Sequence, residues 1–240
     1  MPDASDPRDV AEVSLTGGLM TAGVVRVGDT VRRPTGDHSP FVHEMLLQLH
    51  AHGVAACPQF LGVDPRGREI LTYLPGWVPP NLEHRRWDDG QIVAAARIVR
   101  EVHDATAASP IADGSQVVCH GDLSPCNFVF VDGIPRYLID FDSARPGTRR
   151  ADLAYMAWMW LIGDENSSES PPPADRLVQL GLMLETYGLD DRRRFAEAIG
   201  RRQLAVRESM VARGSSPSWV EGEIRFVERH AREIDAAALD

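Results

Sequence analysis

Two polar motifs bracket one short β-hairpin, and this arrangement restricts the fold more than any other feature of the chain. The first is His120-Gly121-Asp122-Leu123-Ser124-Pro125-Cys126-Asn127, and the second is Tyr137-Leu138-Ile139-Asp140-Phe141-Asp142. Between them, the apolar runs Phe128-Val129-Phe130-Val131 and Arg136-Tyr137-Leu138-Ile139 flank Asp132-Gly133. That dipeptide tolerates the positive backbone angles of a two-residue hairpin turn. A hairpin returns its ends to one place, so Asp122 and Asn127 in the entering loop should converge with Asp140 at the exit.

The residue types suit one chemistry. A carboxylate can orient an attacking hydroxyl and take its proton, while a carboxylate and an amide oxygen are hard ligands for Mg²⁺. Asp122 fits the first role; Asn127 and Asp140 fit the second. The joint pattern resembles the aminoglycoside phosphotransferase family of small-molecule kinases, which share the protein-kinase fold. Its catalytic loop reads H-G-D-x-x-x-x-N where protein kinases have H-R-D, and its metal motif reads I-D-[FW]-[DE] in place of D-F-G. Gly121 and Asp142 follow the small-molecule version.

The resemblance implies an α+β, bilobal protein-kinase-like fold. Residues 1–76 would form a small β-rich nucleotide-binding lobe, and residues 77–240 a mostly helical catalytic and acceptor-binding lobe. It also implies ATP and Mg²⁺ as cofactors and a hydroxyl of a small molecule as acceptor, with an aminoglycoside or another antibiotic as the first expectation. The alternative from another class is a nucleotide-binding scaffold that keeps the fold and transfers nothing. Intact Asp122, Asn127 and Asp140 oppose that alternative, whereas a sparse glycine loop and the absence of a lysine in the third strand favour it.

The amino-terminal third reads as strands around glycine turns. Gly18 and Gly23 flank Met20, and Val25 follows, a partial match to the glycine loop whose backbone N–H groups approach phosphates. If Gly28-Asp29 is a two-residue turn, Val27 faces Thr30 and Val25 faces Arg32 on one side of the ribbon. By resemblance Val25 would then roof the adenine, and Arg32 would stand where the family has its phosphate-binding lysine. Should the turn have another length, Arg33 takes that place. Ser39-Pro40 marks a helix start, with Val42, Met45, Leu46 and Leu49 at helical spacing until Gly53. Glu44 lies beside that stripe and is expected, by resemblance, to pair with Arg32. His43, His50 and His52 on the same helix read as surface histidines. Two strands around Pro65-Arg66-Gly67 end near Gly76, and there the backbone of Thr72, Tyr73 and Leu74 is the expected reader of the adenine edge.

The second half is helical in pattern. Asp88-Asp89 caps a run with Ile92, Ala95, Ala96, Val99 and Val102 at helical spacing. His103 at its end and His120 read as structural residues rather than as bases. Asp152 in Asp152-Leu153-Ala154 matches the family's D-L-A and should bond back to the catalytic loop; Trp158, Trp160 and Leu161 read as core. Residues 164–173 are acidic and rich in Ser and Pro, which predicts a surface loop, and three helical runs should follow at about 174–188, 190–213 and 217–238.

Composition sets outer bounds. The chain has 240 residues, 43% hydrophobic, enough for a sizeable core. A net charge of −10 without a basic stripe argues against a nucleic-acid partner. No apolar span of membrane length and no charged-then-apolar leader is visible, which predicts no membrane partner and a cytoplasmic setting. Cys57, Cys119 and Cys126 cannot all pair and show no C-x-x-C spacing, in keeping with that setting. Oligomeric state leaves no signal in the sequence.

Overall fold

A computed structural model describes residues 11–15, 23–81, 87–163 and 172–240. Gly18 and residues 164–171 of the expected acidic loop lie outside the described residues. The architecture is α+β: a five-stranded antiparallel sheet with one helix, followed by a mostly helical region into which two small two-stranded sheets are set.

The strands are β1 (Val13–Ser14), β2 (Val25–Val27), β3 (Thr30–Pro34), β4 (Phe60–Val63) and β5 (Arg68–Thr72), in the order β1-β2-β3-β5-β4. Gly28, at φ +58°, opens the turn between β2 and β3, and the pairing is Val25 with Arg32, Arg26 with Val31 and Val27 with Thr30. This is the register expected for a two-residue turn. Strand β3 in turn pairs with β5, setting Val31 opposite Leu71 and Arg33 opposite Glu69. Because side chains alternate, Arg26, Val31, Arg33, Glu69 and Leu71 share one face of the sheet. Leu71 and Glu69 are buried on it and Val31 packs against the core, so this is the inner face.

Helix α1 (Ser39–Ala51) covers that face, burying Val42, Met45, Leu46 and Leu49 as the apolar spacing predicts. Its cap is His38 rather than Ser39; Ser39 is the first helical residue, and its hydroxyl accepts from the Gly36 N–H at 2.9 Å. After β5 the chain passes Gly76, where a Cβ would collide with Val129 and the Phe130 carbonyl. Trp77 then pairs with Phe130 through two backbone bonds of 2.8 and 2.7 Å.

Helix α2 (Asp89–Thr106) begins with a reciprocal capping box between Asp88 and Gln91 and buries every apolar position read from its spacing. The short strand β6 (Val117–Cys119) follows. Strands β7 (Phe128–Val131) and β8 (Ile134–Leu138) form the expected hairpin, with Asp132 and Gly133 at φ +50° and +78°. Its second strand starts at Ile134, earlier than the apolar run suggests, because the two-residue turn sets Ile134 opposite Val131, and the register shifts between Val129 and Phe130. Strand β9 (Arg145–Gly147), absent from the sequence reading, pairs with β6.

Helix α3 (Arg149–Ala157) continues into a π-helical turn, Trp158–Ile162, and is followed by α4 (Ala174–Tyr187), α5 (Phe195–Ala212), α6 (Ser218–Arg229) and α7 (Ala231–Leu239). The last expected helix is therefore two, divided at His230. Trp158, Trp160 and Leu161 are core residues. Trp160 packs tilted against Trp87 and meets Phe128 edge-on at ring separations of 4.9 and 5.1 Å, so the hairpin rests on an aromatic bed. Among the described residues no helix is long and apolar enough to cross a membrane.

Candidate active site

The loop of residues 120–127 leaves the fully buried strand β6 and is held on several sides at once. Asp152, in the first turn of α3, accepts from the His120 N–H at 2.8 Å and from the Gly121 N–H at 2.9 Å. His103 reaches the same carboxylate at 3.1 Å. Burial opposes the charge on Asp152, but the bond to His103 and the Gly121 N–H outweigh it, holding its carboxyl below the ordinary value. Asp152 thus ties the loop to α3, the architectural part expected of it.

His120 is fully buried, and its ring is spent on the backbone. Nε2 donates to the Ile139 carbonyl at 3.0 Å, and Nδ1 accepts from the Asp122 N–H at 3.2 Å. That pair of bonds specifies one neutral tautomer and leaves no nitrogen for substrate. Gly121 has φ +83°, and a Cβ there would run into the Ser143 carbonyl and Arg145, so the position requires glycine.

Asp122 emerges half-exposed from this frame. Its Oδ1 accepts from the Tyr155 hydroxyl at 2.9 Å, and its backbone carbonyl accepts from the Asn127 side-chain N–H at 2.8 Å. With its nitrogen so engaged, the Asn127 amide has its oxygen left to bind. The Trp160 indole N–H donates to the Leu123 carbonyl at 2.9 Å, pinning the loop to the aromatic bed. Across the hairpin, the Ile139 N–H donates to the Asn127 carbonyl at 2.9 Å, so the exit carrying Asp140 is fastened to the entrance.

Asp140 itself adopts φ +66°, ψ +66°, a left-handed backbone that is costly for a non-glycine residue and recurs at functional positions. Arg33 from β3 bridges the two halves of the molecule here. Its Nη1 donates to Asp140 Oδ1 at 3.2 Å, Nη2 to Asp142 and Nε to Glu69. Burial disfavours the guanidinium charge, but the bond to Glu69 and the charges of Glu69, Asp142 and Asp140 overcome it and raise its pKa further above the ordinary range. Asp140 and Asp142, which already draw the Arg33 cation, and Asn127, whose backbone is fastened to the neighbouring Ile139, are hard oxygen ligands of the kind that fit Mg²⁺.

The glycine-loop and strand candidates need correction. Arg32 and Glu44 do not meet: Arg32 bonds the Thr30 hydroxyl at 2.6 Å on the outer face of the sheet, and Glu44 is exposed on the far side of α1. Val25 shares that outer face with Arg32, away from Arg33. The register was read as found, but the face it presents inward is the other one. His43, expected at the surface, turns inward to Glu69 at 2.7 Å and stacks on Phe60. Gly23 has φ +86° and precedes β2. At the end of β5, the Thr72 N–H donates to the Gln59 carbonyl and the Tyr73 N–H to the Asp29 carbonyl, so two of the three expected hinge amides are bonded within the sheet and Leu74 follows them.

Three contributors went unread in the sequence. Tyr155 stands three positions after Asp152, on the same face of α3 by helical spacing, a signal that was present but unused. Glu69 lay in a strand with no local mark of function. Arg202, from α5, donates to the Gly121 carbonyl and lies over the Tyr155 ring at 4.7 Å; burial and the nearby charge of Arg145 lower its pKa. Nothing near residue 202 in sequence points to the loop.

Residues 26–212 match the model of a family described as the phosphotransferase enzyme family. A curated relative, the trifolitoxin immunity protein of Rhizobium leguminosarum bv. trifolii, is 31% identical over 204 residues, covering 76% of each protein. Among solved structures, a choline/ethanolamine kinase family protein from Mesorhizobium loti aligns with a TM-score of 0.57 at 16% identity, over 94% of this chain and 92% of its own. APH(2″)-IIa, in a ternary complex with streptomycin and ATP, aligns with a TM-score of 0.56 at 11% identity, over 93% of each chain. At such identities the structural likeness establishes the fold.

Proposed function

The chain belongs to the phosphotransferase enzyme family, and we propose that it moves the γ-phosphoryl group of ATP to a hydroxyl of a small molecule. The observation that carries this reading is the linked set Asp122, Asn127 and Asp140, joined by the Asn127 bond to the Asp122 carbonyl and the Ile139 bond to Asn127. In this reading residues 1–76 bind nucleotide and residues 77–240 supply catalysis and the acceptor site.

Each residue then has a defined task. Tyr155 fixes Asp122 through Oδ1, leaving Oδ2 to align an acceptor hydroxyl and take its proton. Asn127 and Asp140, with Asp142 beside them, would hold Mg²⁺, which neutralises phosphate charge when bound. Arg33, on the inner face of the sheet, would take the phosphate-holding part expected of Arg32, and its fork can bind phosphates bidentately. Asp122 and Asp140 are on different sides of the fastened hairpin, so proton acceptance and metal binding are separable.

The APH(2″)-IIa structure holds streptomycin and the curated relative is named for immunity to trifolitoxin, which supports an antibiotic or toxin as acceptor. The test is ADP release from MgATP across a panel of hydroxylated antibiotics, amino alcohols and sugars. Turnover with one class, cut by about 10²-fold or more in Asp122→Asn, is the expected result. Nucleotide binding without turnover across the panel would instead make the chain a scaffold.

A further inference from the structure

We propose that Glu69 of β5 and His43 of α1 are the positioning pair for the phosphate-binding cation Arg33, a task that does not fall to the helix glutamate Glu44. This rests on the phosphotransferase reading and extends it to residues that reading does not use.

Three observations carry it. Arg33 and Glu69 are directly opposed in the β3–β5 ladder, so their side chains leave the inner face together and Arg33 Nε donates to Glu69 Oε1. The second carboxylate oxygen, Oε2, is held by His43 Nε2 at 2.7 Å. The His43 ring is locked in turn, stacked on Phe60 with centroids 3.8 Å apart and planes 12° from parallel. Glu69 has no solvent exposure, and these two side chains are the partners its carboxylate oxygens have among the described residues. Glu44, by contrast, faces solvent.

The consequence concerns how Arg33 divides its donors. Its other two nitrogens lie on Asp140 and Asp142, the carboxylates proposed for the metal. Without an anchor at Nε, the guanidinium would be held by those two alone and would compete with a divalent cation for them. Glu69 keeps the fork attached to the sheet, so that it can hold phosphate oxygens without following the metal ligands. The third-strand arginine is thereby served from a neighbouring strand, and α1 contributes an imidazole where a carboxylate was expected.

The experiment measures MgADP binding by titration calorimetry and, separately, KM for ATP and kcat. Glu69→Gln should weaken MgADP by about tenfold and raise KM similarly with little change in kcat at saturation, as expected for loss of one charge-assisted bond. Glu44→Gln should bind within about twofold of wild type, as surface charges do. Adding His43→Glu to Glu69→Gln moves the carboxylate to the helix and should recover part of the lost affinity. If Glu69→Gln does not fold, His43→Gln is measured instead and should show the same split in KM and kcat at about threefold. Undiminished binding in the folded variant, or no recovery in the double variant, overturns the pairing while leaving the phosphotransferase reading intact. A wild-type protein that binds no nucleotide overturns both.

Discussion

The hydroxyl of Tyr155 donates to Oδ1 of Asp122 at 2.9 Å, so the orientation of the loop carboxylate is set by the helix that Asp152 opens. Asp152 and Tyr155 are three residues apart on α3. The first binds the backbone of the loop and the second its side chain. Burial and the charge of Asp122 raise the Tyr155 pKa well above its ordinary value, so the phenol stays protonated and remains a donor. The loop and α3 are therefore fastened to each other through both backbone and side chain.

Base and orienter should separate in kinetics. Asp122→Asn should cut kcat by about 10²-fold or more with nucleotide affinity nearly intact. Tyr155→Phe keeps the ring under Arg202 but removes the bond, and should cost about tenfold in kcat. Steady-state rates with calorimetric ADP binding check both; near-wild-type turnover in Asp122→Asn would remove that residue from the mechanism.

The two adjacent arginines should behave oppositely. Arg33→Ala removes the fork that joins the sheet to Asp140 and should raise the ATP requirement by about tenfold or more, whereas Arg32→Ala, on the outer face, should stay within about twofold. Arg33→Lys should retain part of the function, since a point charge replaces the fork without its geometry. A larger effect at Arg32 than at Arg33 in ATP titrations contradicts the assigned face.

Acid stability should report on Asp152. Its carboxyl lies below the ordinary 3.8 in the folded protein, so it favours the fold at and above that pH and loses this contribution as pH falls through the lower folded value. Asp152→Asn removes one acceptor from a buried cluster and should destabilise the protein by about 3 kcal/mol at neutral pH. The variant should also lose stability less steeply than wild type below about pH 4, where only the wild type has this carboxylate to protonate. Urea unfolding at a series of pH values measures both slopes.

Gly121→Ala tests the backbone. The positive φ and the filled space against Ser143 and Arg145 make the substitution strained by about 2 kcal/mol or more. A lowered thermal midpoint with a disproportionate fall in kcat is expected, because the displaced peptide lies next to Asp122. Unchanged melting would mean that the loop accommodates a side chain.

Much of the geometry of the candidate site was legible because its signals are local. Asp122, Asn127 and Asp140 are separated by one hairpin, whose Asp132-Gly133 turn is a short-range signal. Asp152 follows on the next helix. Tyr155 was readable from helical spacing, but tyrosine in a helix is ordinarily core. Glu69, His43 and Arg202 had no such marks, since each meets its partner only across the tertiary structure: Glu69 on a neighbouring strand, His43 on a helix packed under the sheet and Arg202 on a helix that folds back to Gly121.

The β2–β3 ribbon shows where local information stops. A two-residue turn dictates that Val25 opposes Arg32 and Val27 opposes Thr30, and the two-residue period dictates that Arg32 and Arg33 point to opposite faces. Both follow from bond geometry within a dozen residues. Neither says which face looks inward. That choice belongs to α1, whose buried stripe of Val42, Met45, Leu46 and Leu49 lies over the side bearing Val31 and Leu71, and to the buried carboxylate of Glu69, whose charge needs Arg33 beside it. A ribbon is symmetric in its own hydrogen bonds; the apolar surface and the charge that cover one face break the symmetry, and they arrive from sequence far outside the ribbon.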